Sequence, residues 1–363
     1  PVAAYAGGGL VAYLVQYLSF VARAIIAGLR LRKTGWRPEV VWVTSPPLFA
    51  GLAGWILSRT MRAPMVLDIR DIWPESAVAA GQLSQDGAGF RMGKLLERFL
   101  YDRAAAVTCV SNPMCAYIAT RTKTPATVVY NGVLVGNAPD PAPEQTRDRI
   151  LYAGNLGRVQ GLEVLLQAFA LLTAKGLLPG WTLDLIGTGA QEAALKAQAS
   201  GLECRDRVRF HRPMPKAQAL AEIACSRLLF INLMDQDVFD LTIPSKVFDY
   251  MLMNRPILCG VGGEGLAIIE ETGGNVPFTP SDVDSLCDAI ERAVANMSHY
   301  EALAAGNSRI VRDRYSREAA TDALERVFAS VLGRTPNGTP AASCNDQATV
   351  DPSSTATACK VSP

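Results

Sequence analysis

From residue 39 onward the chain alternates short apolar runs rich in β-branched residues with longer stretches whose apolar positions recur at helical spacing. In the first part, Glu39–Thr44, Pro64–Ile69, Ala106–Val110 and Ala126–Tyr130 read as strands, with helices over 46–59 and 88–103. The pattern resumes with strands at Ile150–Ala153, Thr182–Ile186, Val208–Phe210, Leu228–Asn232 and Pro256–Cys259. Helices over 161–174, 190–199, 216–224, 244–253 and 283–297 separate them, and charged helical segments fill 301–332. Strands that are apolar throughout are buried on both faces, and their alternation with helices marks parallel sheets covered by helices. The fold class is therefore α/β, with two successive doubly wound, Rossmann-like domains. Residues 1–132 make the first, 150–332 the second, and the Pro-, Asn- and Asp-rich stretch 133–149 reads as a linker. Residues 333–363 are rich in Ser, Thr, Pro and Ala, cannot bury enough apolar surface to order themselves, and are expected to be a disordered tail.

The stretch before the first strand is different. Leu10–Leu29 is apolar nearly all round, interrupted by Gln16 and Arg23 and followed by Arg30, Arg32 and Lys33. It reads as a core helix, an interfacial helix with a basic flank, or a membrane span. Its basic residues follow the apolar run, the reverse of a cleavable signal peptide. The chain opens at Pro1 without a strand and glycine-rich turn, as a first domain missing its beginning would.

Charge sharpens the contrast between halves. Net charge is only +1, yet residues 1–132 hold 14 Lys and Arg against 7 Asp and Glu, and the remainder holds 21 against 27. A basic front half fits an acidic partner such as an anionic membrane surface, or a solvated face with no partner. No nucleic-acid-binding motif stands out. The eight cysteines include no CxxC pair and there are two histidines, which argues against a zinc site. Cys109 and Cys259 lie in strand-like runs and read as small buried residues of a reduced, cytoplasmic protein.

Open parallel sheets take ligands at the carboxyl ends of their strands. After Ile150–Ala153 comes Gly154-Asn155-Leu156-Gly157-Arg158-Val159-Gln160-Gly161, in which the glycines, Gly157 among them, permit a tight turn. Arg158 stands just before a helix start, where it would clamp an anion or simply be solvated. Gly187-Thr188-Gly189 follows the next strand. The most informative stretch is Asp240–Met251 (DLTIPSKVFDYM), which holds Thr242, Ser245, Lys246 and Asp249. With Pro244 opening a helix, the N–H groups of Ser245 and Lys246 face outward, and Asp249 lies one turn on, about 5.4 Å along the axis. That spacing suits a diphosphate at the helix start and ribose hydroxyls on Asp249; the plain alternative is a Lys246–Asp249 surface ion pair. Glu264 stands at the tip of the glycine-rich Gly260–Gly265 loop, able to meet sugar hydroxyls or merely to sit on a flexible loop. In the front half, Asp71 and Glu75 are candidates to orient or deprotonate an acceptor hydroxyl, or to stabilise positive charge on the sugar; the structural alternative has Asp71 capping the turn and Trp73 packing.

Taken in order, TSPPLFAGLAG (44–54), LDIRDIWPESAVAAG (67–81), YNGV (130–133), LYAGNLGRVQGLEVLLQAF (151–169), LIGTGAQ (185–191), PSKVFDYM (244–251) and GVGGEG (260–265) resemble bacterial glycosyltransferases of family 4. The likeness points particularly to the WbuB-like fucosaminyltransferases of O-antigen and capsule assembly. It implies a GT-B fold, two Rossmann-like domains facing a cleft, the first of them here incomplete. It also implies a retaining, metal-independent transfer from a nucleotide-sugar donor, taken as UDP-linked, to a saccharide or lipid-linked saccharide, with no cofactor. Arg158 and Lys246 would neutralise the diphosphate, Asp249 would bind ribose, and the Gly187/Gly189 and His211–Arg212 loops would flank the base. Many members carry two glutamates separated by seven residues; here those positions are Leu241 and Asp249, so the ribose role is the one that transfers. The expected location is cytoplasmic, peripheral at the inner face of the membrane. A nucleotide-sugar epimerase of the same architecture and a non-catalytic nucleotide-sugar-binding module at a membrane are the competing readings.

Overall fold

The computed structural model describes residues 10–136 and 146–334; the tail expected over 333–363 and the middle of the linker fall almost wholly outside them. Among the described residues, the first sheet has four parallel strands in the order β1 (Val41–Ser45), β2 (Met65–Ile69), β3 (Ala106–Cys109), β4 (Ala126–Val128). Its helices are α1 (Leu10–Lys33), α2 (Leu48–Met61), the short α3 (Glu75–Ala79), α4 (Ala88–Arg103) and α5 (Asn112–Ala119). Strand alternation divides the sheet's two faces. Met65, Leu67, Ile69, Val107 and Cys109 point one way, into a core closed by Leu48 of α2, Leu100 and Tyr101 of α4, and Met114 and Ile118 of α5. Val66 and Ala106 point the other way.

The second sheet is parallel and six-stranded. Its strands are β5 (Arg147–Ala153), β6 (Thr182–Ile186), β7 (Val208–His211), β8 (Ser226–Asn232), β9 (Ile257–Gly260) and β10 (Val276–Pro277), laid out β10-β9-β8-β5-β6-β7. This is the doubly wound order, with the switch of direction between β5 and β8. Leu151, Leu229, Ile231, Ile257 and Cys259 face a core shared with α8 (Lys216–Ala224), α10 (Lys246–Met251) and α11 (Gly263–Glu270). Ile150, Tyr152, Leu183, Leu185, Leu228, Phe230 and Leu258 face another, against α6 (Leu162–Ala174), α7 (Glu192–Ser200) and α12 (Val283–Ala295). The single-turn α9 (Asp237–Asp240) precedes α10, and α13 (Met297–Ala304), α14 (Asn307–Arg314) and α15 (Arg317–Val331) end the described chain. Two Rossmann-like α/β halves are thus present, as the strand-helix alternation requires.

Several boundaries differ from the sequence reading, each for a local reason. β5 begins at Arg147, three residues before Ile150, because Arg149 is buried in an ion pair with Asp184 at 3.2 Å and also reaches Glu222 at 2.7 Å. Buried charge at a strand start hides the strand from a hydrophobic pattern. α15 falls in the stretch assigned to the second domain, yet its Val327 packs with Val66 and Ala106, and Phe328 meets Trp42 edge-on at 6.4 Å. The chain's last described helix therefore returns to the first sheet. α1 packs on α2 through Gly28, where an added Cβ would lie 2.4 Å from a Leu57 methyl. Its outward side leaves Val15, Leu18, Ile26 and Leu31 about half exposed. No described helix is long and apolar enough to cross a membrane.

Candidate functional site

The turns after β5 and β6 are laced together. The Gly154 N–H donates to the Ile186 carbonyl at 2.8 Å and the Leu156 N–H to the Thr188 carbonyl at 2.9 Å. Glycine is required at Gly187, whose φ is +141° and whose added Cβ would lie 1.9 Å from the Gly154 carbonyl oxygen. Gly189 is similarly close, 2.4 Å from the Leu156 carbonyl. Tyr250 of α10 accepts the Ala153 N–H on its hydroxyl at 2.7 Å, which fixes α10 against the end of β5. Two turns and α10 are thus held together at one edge of the sheet.

Lys246 enters this edge from α10. Its Cε occupies the space a side chain on Gly154 would need, 2.0 Å from an added Cβ, and its Nζ lies 5.2 Å from the centre of the Tyr152 ring. Burial pushes the Lys246 ammonium below lysine's ordinary 10.5, against the pull of Asp249 in the other direction. A largely buried cation of this kind gains from an incoming anion. The helix starts at Lys246 with Ser245 as its N-cap, two residues later than Pro244, and is six residues long, so the lysine's own charge outweighs the helix dipole.

Asp249 sits one turn further along. Its carboxylate is held by Lys216, not by Lys246: Lys216 Nζ donates to Oδ1 at 3.0 Å and to Oδ2 at 3.4 Å. Gly154, Gly187, Thr188, Lys246, Asp249 and Tyr250 share one open crevice of about 400 Å³, with Pro213, Met214, Leu220 and Ile223 as its apolar wall. A second cavity, of about 380 Å³, lies between the halves; Asp68, Arg70 and Asn131 line it from the first, and Ser245 and Asp249 from the second. Lys216 and Asp249 border both. Charge for a phosphate, a carboxylate for hydroxyls and an apolar wall for a flat ring lie within one pocket of ligand size.

The other residues singled out from the sequence lie elsewhere. Arg158 is exposed in a 3₁₀ turn, Arg158–Gln160, with a guanidinium nitrogen 2.9 Å from where Gly81 of the first half would carry a Cβ. It faces the gap between the halves and lines neither cavity. Gly157 is buried beneath it, and the Thr242 hydroxyl donates to the Phe239 carbonyl at 3.2 Å. Glu264 is not at a flexible loop tip: Gly263–Glu270 is helix α11, and the Glu264 carboxylate bridges to the first half. It accepts from the Asn112 N–H, the Asn112 amide and the Tyr130 hydroxyl, each at 2.6 Å. Close by, the Ser111 hydroxyl donates to the Leu241 carbonyl across the same boundary.

Asp71 and Glu75 are both held by partners within the first half. Burial pushes the Asp71 carboxyl up, and the Ser76 hydroxyl and Ile72 N–H oppose that shift by hydrogen bonding to it. Glu75 accepts from Lys94 at 2.8 Å and from the Tyr117 hydroxyl, tying α3 to α4 and α5. His211 is drawn inward onto Asp184 at 3.0 Å, which leaves Pro213 and Met214 as the part of that loop that reaches the crevice. Cys109 and Cys259 are free and buried, with thiols pushed up to about 12 by desolvation. Among the described residues, no three His, Cys, Asp or Glu side chains converge in a way that would hold a metal.

Residues 1–132 match the family described as glycosyl transferase 4-like domain, and residues 147–296 match that described as glycosyl transferases group 1. The probable glycosyltransferase WbjE of Pseudomonas aeruginosa is 26% identical over 296 residues, covering 76% of this chain and 72% of that protein. Anabaena HepE, solved in complex with UDP-glucose, superposes with a TM-score of 0.69 at 16% identity, over 85% of this chain and 82% of its own. Sucrose-phosphate synthase from Thermosynechococcus elongatus does so at 0.69 and 16%, over 88% and 78%. These are likenesses of fold, and the fold they share with this chain is GT-B.

Proposed function

We propose that the chain is a glycosyltransferase, on the match of residues 1–132 to a 4-like domain and of residues 147–296 to a group 1 domain, and that its crevice takes a nucleotide-sugar donor, UDP-linked. Convergence of Lys246 and Asp249 at the laced β5 and β6 turns carries the reading. In it the diphosphate lies at Lys246, the ribose hydroxyls at Asp249, and the base against Pro213 and Met214.

Breaking the bond to the anomeric carbon leaves negative charge on the departing diphosphate. A preplaced ammonium stabilises that charge as it grows, most strongly where water is thin. Lys246 fits that part because its burial has already been set by the fold. Arg158, at the gap between the halves, would add a second cation on closure. Retention of configuration, absence of a cofactor and a lipid-linked saccharide acceptor complete the proposal and rest on the family resemblance. An acceptor anchored in lipid would bring the chain to the inner membrane face. The exposed apolar residues of α1, with Arg23, Arg30, Arg32 and Lys33 beside them, suit an anionic surface, and co-sedimentation with anionic vesicles tests this.

Thermal shift with UDP-, GDP- and ADP-sugars tests the donor. The UDP-linked sugars are expected to raise the melting temperature, and Asp249→Ala is expected to remove most of that rise. An unchanged rise in the variant would take the ribose away from Asp249.

A further inference from the structure

We propose that Lys216 is a positioning residue for the donor's ribose, acting through Asp249; the inference rests on the donor reading above. Nothing in the sequence marks Lys216, which follows Pro213-Met214-Pro215 as the first residue of α8. The fold brings it 33 positions along the chain to Asp249, where its Nζ spans both carboxylate oxygens at 3.0 and 3.4 Å. Asp249 is the more sheltered partner, its side chain 26% exposed against 58% for Lys216.

The geometry has a chemical consequence. Two neighbouring ribose hydroxyls are both donors, and a carboxylate serves them best when its plane is fixed before they arrive. Asp249 stands on a helix only six residues long, beside the site taken for the diphosphate. Left alone, its side chain would be free to turn. Lys216, which lines the same crevice, fixes the carboxylate by holding both of its oxygens. An exposed ion pair contributes little to stability. Its effect is expected on ligand affinity and not on folding.

Calorimetric titration of the full chain with UDP and with 2′,3′-dideoxy-UDP separates the possibilities. Lys216→Ala should weaken UDP roughly fivefold, a scale set by one exposed charge pair. It should leave dideoxy-UDP, which lacks both hydroxyls, nearly unaffected, and Lys216→Arg should restore UDP binding. In the double variant with Asp249→Ala, the Lys216 change should add nothing further. Equal weakening of both ligands would overturn the proposal, since Lys216 would then act on the phosphates or on the fold. Unaltered UDP binding in Lys216→Ala, with loss in Asp249→Ala, would overturn it while leaving the ribose contact intact. Unaltered binding in both variants would remove the ribose contact itself, and failure of the unaltered chain to bind UDP would sink the donor reading and this inference together.

Discussion

At the scale of single residues, Lys246 ties the site's electrostatics to a measurable pH dependence. Burial lowers its folded-state value below 10.5, so its neutral form is reached at a lower pH than for a free lysine. The sign of the stability effect follows: burial of the charge costs stability at pH below the lowered value, and the cost is relieved as pH rises through it. Ligand binding runs the other way, because a diphosphate favours the charged lysine. Donor affinity is therefore expected to fall on the alkaline side, beginning below pH 10.5. Lys246→Arg, which stays charged, should move that fall to higher pH. A flat alkaline limb in the unaltered protein would contradict the placement of phosphate at Lys246. Lys246 and Asp249 were legible in the sequence because proline, a cation and a carboxylate at helical spacing describe a local surface. Glu264 was legible as polar but not as a bridge, since its partners Asn112 and Tyr130 lie more than 130 positions away. Lys216 was invisible because its partner Asp249 lies 33 positions on, in a different helix.

At the scale of elements, the glycine turns and the helix start work as one unit. Replacing Gly187 with Ala would drive a Cβ to 1.9 Å from backbone at Gly154 and impose a positive φ on alanine. Backbone has little room to yield, so a stability loss on the order of 3 kcal/mol is expected, read as a lowered denaturation midpoint. Gly154→Ala shares the positive-φ strain, at +152°, but its Cβ meets the flexible Lys246 stem instead of backbone. It should cost less stability but a larger share of donor affinity, because the lysine must leave its place. Equal stability losses in the two variants would contradict this division. Thr182–Ile186, Ala88–Arg103 and Lys216–Ala224 were read at their observed limits. The short α3, α9 and α11 and the two-residue β10 were not. Each is too brief for a period to register, and α11 opens in glycines that read as loop.

At the scale of the whole molecule, the halves meet through specific contacts and through α15, which spans from one to the other. Glu264 sits at the N-terminal start of α5, receiving three hydrogen bonds from the first half. Glu264→Ala is expected to loosen the contact between the halves, seen as a larger radius of gyration in solution scattering. An unchanged radius would show that α15 and the Ser111–Leu241 contact hold the halves without it. The two-domain α/β plan was readable from strand-helix alternation alone, whereas the crossing of α15 was not. A helix pattern records which face is apolar and not which sheet will receive it. The most direct test of the account is a crystal structure of the full chain with UDP. Diphosphate oxygens within hydrogen-bonding reach of Lys246 Nζ, with ribose hydroxyls on Asp249, are the predicted result; UDP seated away from the β5 and β6 turns would contradict it.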